Sequence, residues 1–74
     1  MLLKDVLPKL PTVIDIELNL CNEMDPDIVF DRVTIKSYMA EDMLSEEYLH
    51  APVRVIRPRS SELIEIFIIL KNKE

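Results

Sequence analysis

Ile14-Asp-Ile-Glu-Leu-Asn-Leu20 alternates apolar and polar residues without a break. Successive side chains of a β-strand point to opposite faces, so this period of two predicts a strand over 12–20 with one face buried and one wet. A wet face favours an antiparallel or mixed sheet over a fully covered parallel one. Downstream, Cys21-Asn-Glu-Met-Asp-Pro-Asp27 is dense in turn formers and predicts a hairpin loop. The returning strand is expected over 28–36, with Val29, Val33 and Ile35 on one parity. Asp31 shares that parity, which predicts a bulge or bend near Asp31-Arg32.

Upstream, Leu2, Leu3, Val6, Leu7 and Leu10 have near-helical spacing, while Pro8 and Pro11 limit the segment to one or two turns. Beyond the second strand, Ser37 is placed to cap a helix over 38–44, with Met39 and Met43 four apart and facing the core. Residues 45–49 either continue that helix or start a turn of their own, and Ala51-Pro52 ends it. A third strand is expected over 53–57, a turn at Pro58-Arg-Ser-Ser61, and a fourth strand over 62–70. The end of that last strand, Ile66-Phe-Ile-Ile-Leu70, is apolar on both parities and belongs in a sheet centre, with helix on one side and a second cover on the other. Residues 71–74 form a polar tail. The fold class is therefore α+β. A single domain over 1–74 holds a small four-stranded, mostly antiparallel sheet, a short N-terminal helix and one helix between strands two and three.

At 74 residues the chain lies near the lower limit for a lone hydrophobic core. Cys21 is the only cysteine, so an internal disulfide is excluded, and Cys21 with His50 falls short of the about four ligands of a structural zinc site. No cofactor or metal is expected, and self-association remains as a source of further stability. With 49% hydrophobic and 31% charged residues the chain is too apolar to be disordered. Met1-Leu-Leu-Lys followed by Asp5, Pro8 and Pro11 is not a signal-peptide pattern. Apolar runs stay far below the about 20 residues of a membrane-spanning helix, so a cytoplasmic protein without a membrane partner is expected.

The net charge of −5 is unevenly placed. Residues 1–52 carry eleven acids and four bases, whereas 53–74 carry three acids and five bases. General nucleic-acid affinity needs a strongly basic face, so nucleic acid is a poor fit and a basic protein partner stays open. The chain has no glycine, which excludes Gly-rich phosphate loops and dinucleotide fingerprints.

Among chemistry-bearing residues, Cys21 with His50 could form a nucleophile and base, but a lone cysteine beside an alternating strand reads as a packed thiol. His50, just before Ala51-Pro52, reads as a helix-terminal residue bonding the last carbonyls. Asp25, Asp27 and Asp31 have the 1, 3, 7 spacing of a calcium loop, yet Phe30 occupies the glycine position and Lys36 the final-ligand position. Arg54, Arg57 and Arg59 form the one basic cluster, read as ion-pair partners before phosphate ligands. The acids Glu41, Asp42, Glu46 and Glu47, together with Glu23, Asp25, Asp27 and Asp31, carry the most functional content: a solubilising face, or a surface that steers a basic partner.

Val29-Phe-Asp31, Val53-Arg-Val-Ile56 and Leu63-Ile-Glu-Ile66, in their order along the chain, resemble a class of short proteins from Firmicutes and their phages. That resemblance implies a mobile-element setting in a bacterial host, where small acidic domains bind and block host proteins, including defence nucleases (anti-CRISPR proteins among them). The expected function is a non-enzymatic protein-binding domain acting through Glu41, Asp42, Glu46 and Glu47. The alternative is a structural homo-oligomer, such as a homodimer, or an accessory subunit held by Phe67 and Ile69. A further alternative is a nucleic-acid-binding domain using Arg54, Arg57 and Arg59.

Overall fold

The computed structural model describes residues 1–11 and 13–71. Thr12, the expected start of the first strand, and most of the polar tail lie outside them. A short helix α1 (Leu3–Val6) runs into a 3-10 turn over Leu7–Lys9, and Asp5 caps its start by accepting the Leu2 amide on Oδ2 at 3.2 Å. Strands β1 (Asp15–Asn22) and β2 (Asp25–Lys36) form a hairpin, as do β3 (Val53–Pro58) and β4 (Leu63–Leu70). Strand order is β2-β1-β4-β3; the two hairpins are antiparallel and the central β1–β4 pair is parallel. The mostly antiparallel α+β expectation holds, with a parallel seam at its centre.

The parallel register aligns like with like: Ile16 lies opposite Ile64, Leu18 opposite Ile66 and Leu20 opposite Ile68. These six side chains form a row on one face, joined by Val33 and Ile35 from β2 and covered by Leu3, Val6 and Leu7. Burying a side chain of this size contributes about 1.5–3 kcal/mol, so the row is the main source of cohesion. The chain then crosses this face from the β2 edge to the β3 edge, closing the core with Ala40, Leu44, Tyr48, Leu49 and Ala51. Among the described residues no helix is long and apolar enough to cross a membrane.

The crossing is not the single helix expected. It consists of a 3-10 turn (Ser37–Met39) and two four-residue helices, α2 (Ala40–Met43) and α3 (Glu46–Leu49). Leu44 breaks the run with ψ 143, which turns its side chain towards the core, and Ser45 restarts it from an extended conformation. The initial 3-10 turn shifts the phase of the segment. Ala40 therefore fills the fully buried position, while Met43, expected inside, is 63% exposed and Met39 is exposed as well. Ser37 does not cap a helix with its side chain. Its hydroxyl donates to the Pro11 carbonyl at 2.8 Å and accepts the Ile14 amide, so it pins the chain entering β1.

The β1–β2 turn is tighter than the loop expected over 21–27. Asn22 pairs with Asp25, and Asn22 Oδ1 accepts the Met24 amide at 2.8 Å, an Asx turn that dispenses with glycine. No described residue has positive φ. Two-residue turns without positive φ splay the strands they join, and two register slips beside the turn absorb the mismatch. Leu20 faces Asp31 while Cys21 faces Val29, so the bulge falls at Phe30, one residue before the predicted site. It turns Val29 to the face opposite Val33 and Ile35.

Candidate interaction surfaces

Helices cover one face of the sheet; the other carries the alternate residues of each strand. At its centre lie Asn19 and Cys21 from β1 and Phe67 and Ile69 from β4, aligned by the parallel register, with Val55 opposite Phe67. Asn19 and Cys21 are 1% and 0% exposed although no helix lies over them. Long charged side chains supply the cover instead. Arg54 is released from the ladder by a register slip between Val53 and Val55, and it reaches across β4 and β1 to the start of β2. There its guanidinium donates to the Pro26 carbonyl at 2.9 Å and pairs with Asp27. Arg32 Nε donates to Asn19 Oδ1 at 3.0 Å and lies 3.9 Å from Glu17, while the Asn19 amide donates to the Glu17 carbonyl. Arg57 stacks over the Phe67 ring, 5.5 Å from its centroid. Arg59 pairs with Glu65 at 3.1 Å, and Lys36 with Asp15.

The basic cluster Arg54, Arg57 and Arg59 thus does lie on one face, but carboxylates are interleaved with it. Among the described residues the face holds four ion pairs and one further guanidinium, that of Arg57. Cys21 is a packed free thiol. Burial pushes its pKa up, the Arg54 charge partly opposes that shift, and Asp27 adds to it. The hydrogen bond and charge of Asp15 hold the Lys36 ammonium above its ordinary pKa.

A second surface is built at one end of the sheet. Because β1 and β4 run parallel, their last residues meet: Asn22 lies beside Leu70, and the Glu23 amide donates to the Leu70 carbonyl at 3.0 Å. Helix α3 packs on this end too, enclosing a cavity of about 470 Å³ whose lining includes Glu47, His50, Pro52, Leu70 and Lys71. Glu47 of α3 lines that cavity beside Leu70, whose carbonyl the Glu23 amide reaches, so it lies at the same end of the sheet as the hairpin-turn acids Glu23 and Asp25 although they are far apart in the chain. The hairpin also carries its most exposed apolar side chains, Met24 at 74%, Ile28 at 58% and Phe30 at 56%, which with Asn22 and Asp25 line an open depression of about 270 Å³.

Glu41 and Asp42 occupy the first turn of α2, Glu46 and Glu47 that of α3, and all four are exposed. His50 closes α3 as expected, its Nδ1 lying 2.9 Å from the Glu46 carbonyl and 3.1 Å from the Glu46 carboxylate. Among the described residues no three His, Cys, Asp or Glu side chains are grouped to hold a metal. Sequence reasoning missed Met24, Ile28 and Phe30, although three large apolar residues interleaved with Glu23, Asp25, Asp27 and Asp31 are a readable signal of an exposed apolar patch. No family model, curated protein or solved structure matches the chain.

Proposed function

We propose that the chain is a non-enzymatic protein-binding domain that takes a basic partner surface at the acidic end of its sheet. The observation that carries this reading is the exposed triad Met24, Ile28 and Phe30, which lines an open depression with Asp25 and is interleaved in the hairpin with Glu23, Asp27 and Asp31. An apolar centre within a charged rim is the anatomy of a protein interface: the centre supplies the energy, and the rim supplies orientation and association rate. The exposed acids of α2 and α3, Glu41, Asp42, Glu46 and Glu47, are assigned to steering the basic partner towards that centre. An inhibitor of a host or defence protein, the role implied by the resemblance to phage-borne proteins, is the specific form of this function proposed here. The pairing of Arg54 and Arg59 with carboxylates favours a protein partner over a nucleic acid.

A selection from random displayed peptides against the immobilised chain tests the proposal. Enriched peptides should carry one or two large apolar residues flanked by Lys or Arg. Their binding should weaken with salt, weaken at least tenfold on Phe30→Ser, and weaken again on reversal of Glu46 and Glu47 to Lys. Enrichment without basic flanks, or binding indifferent to all these changes, would overturn it.

A further inference from the structure

We infer that the uncovered face of the sheet is an interface for a second copy of this chain. This rests on different residues from the acidic end and stands independently of it. Phe67, Ile69 and Val55 are half-buried neighbours on a face that carries no helix among the described residues, so about two thirds or more of each is already withdrawn from water within one chain; the row Glu17, Glu65 and Arg57 separates them from the half-buried Leu63. The charge layout selects the occupant. Four ion pairs close within the face and Arg57 leaves one positive charge over, whereas the whole chain carries −5. Among the described residues the acidic excess therefore lies on the other surfaces. Two copies meeting through this face bring near-neutral surfaces together and keep their acids apart. Contact through the helical sides would press Glu41, Asp42, Glu46 and Glu47 of both copies against one another.

Size sets the strength. Four strands about 4.8 Å apart and eight residues long at about 3.3 Å each give a face of about 500 Å² per copy, so a pair buries about 1,000 Å² in total. That is the lower bound for a specific interface, so the dimer forms reversibly as concentration rises. Stacking is isologous, with Ile69 of each copy nearest the two-fold axis and the Arg57–Phe67 stacks displaced from it, so that the two guanidinium groups do not meet.

Light scattering coupled to size exclusion, combined with amide NMR spectra of the unmodified full chain at about 10 µM and about 1 mM, tests this. The mass should rise from 8.7 kDa towards twice that value. Amide shifts that change with concentration should cluster at Asn19, Cys21, Val55, Phe67 and Ile69. Ile69→Glu should return the mass to a single chain, and because the mapping uses the native sequence, failure of that variant to fold leaves the test intact. A monomer at both concentrations overturns the inference. So does a dimer whose shifts fall on Met24, Ile28 and Phe30 or along β2, which would assign self-association to the hairpin instead.

Discussion

Replacing Arg54 by alanine removes the bar that crosses the open face from β3 to β2. Two interactions go with it, the ion pair with Asp27 and the hydrogen bond to the Pro26 carbonyl. The ion pair is solvent-exposed, with side-chain accessibilities of 38% and 80%, so its share is about 0.2–1 kcal/mol. The bond to the carbonyl contributes about 0.5–1.5 kcal/mol. Arg54→Ala should therefore destabilise the domain by about 1–2 kcal/mol, and at about 4–8 °C per kcal/mol for a chain of this size the midpoint should fall by roughly 5–15 °C. Asp27→Ala keeps the carbonyl bond and should cost about half as much. A structural role in roofing Cys21 makes a second, sharper demand: the buried thiol should react faster with an aromatic disulfide reagent in Arg54→Ala than in the native chain, and Asp27→Ala should lie between them. Denaturant melts and the labelling rate in water give both quantities. Equal labelling rates in all three proteins would show that Arg54 does not cover Cys21, and the origin of its burial would have to be sought elsewhere.

Asn19→Ala removes the acceptor that holds Arg32 and should cost about 1–3 kcal/mol by denaturant unfolding, more than any single ion pair on the same face. Ala40→Leu forces side-chain volume into a fully buried position and should cost about 1–3 kcal/mol, whereas Met43→Ser should stay within about 0.5 kcal/mol of the native chain. The reverse order would restore the single helix with methionines inside. Stability should also fall with alkaline pH. A raised folded pKa contributes stability that is complete below the unfolded value and is lost as pH rises through the folded one, so Cys21 acts from about pH 8.5 upward and Lys36 from about 10.4. Melts across pH 7–11 should show Cys21→Ser flattening the first part of that decline and leaving the second; an unchanged profile would sink the assignment.

What was legible in the chain follows from the range of each interaction. The alternation of β1 needs only its own residues, and the two-sided apolarity of Ile66 to Leu70 placed β4 at the sheet centre before any partner was known. That β4 pairs parallel with β1 was not legible, because alternation states which face is buried and not which strand lies alongside. The four-residue spacing of Met39 and Met43 looked like a buried helical stripe, but the entering 3-10 turn rotated it outward, and the deciding contact was the close approach of Ala40. Arg54 was visible as part of a basic cluster. Its partner lies 27 residues away on the far edge of the sheet, brought there by a register slip that no local pattern encodes. The acids at 23–27 and 46–47 were each noted in the sequence; that Glu47 comes to the same end of the sheet as the hairpin turn follows from the parallel seam and could not be read locally.

That the acid-flanked apolar triad of the hairpin takes a basic partner is the central claim, and mapping a bound peptide onto the chain tests it most directly. An amide NMR titration with a selected Lys/Arg-flanked apolar peptide should shift residues 22–31 together with Glu46 and Glu47, and leave Phe67 and Arg57 unmoved. Shifts centred on Phe67, Ile69 and Arg57, with the hairpin silent, would contradict it.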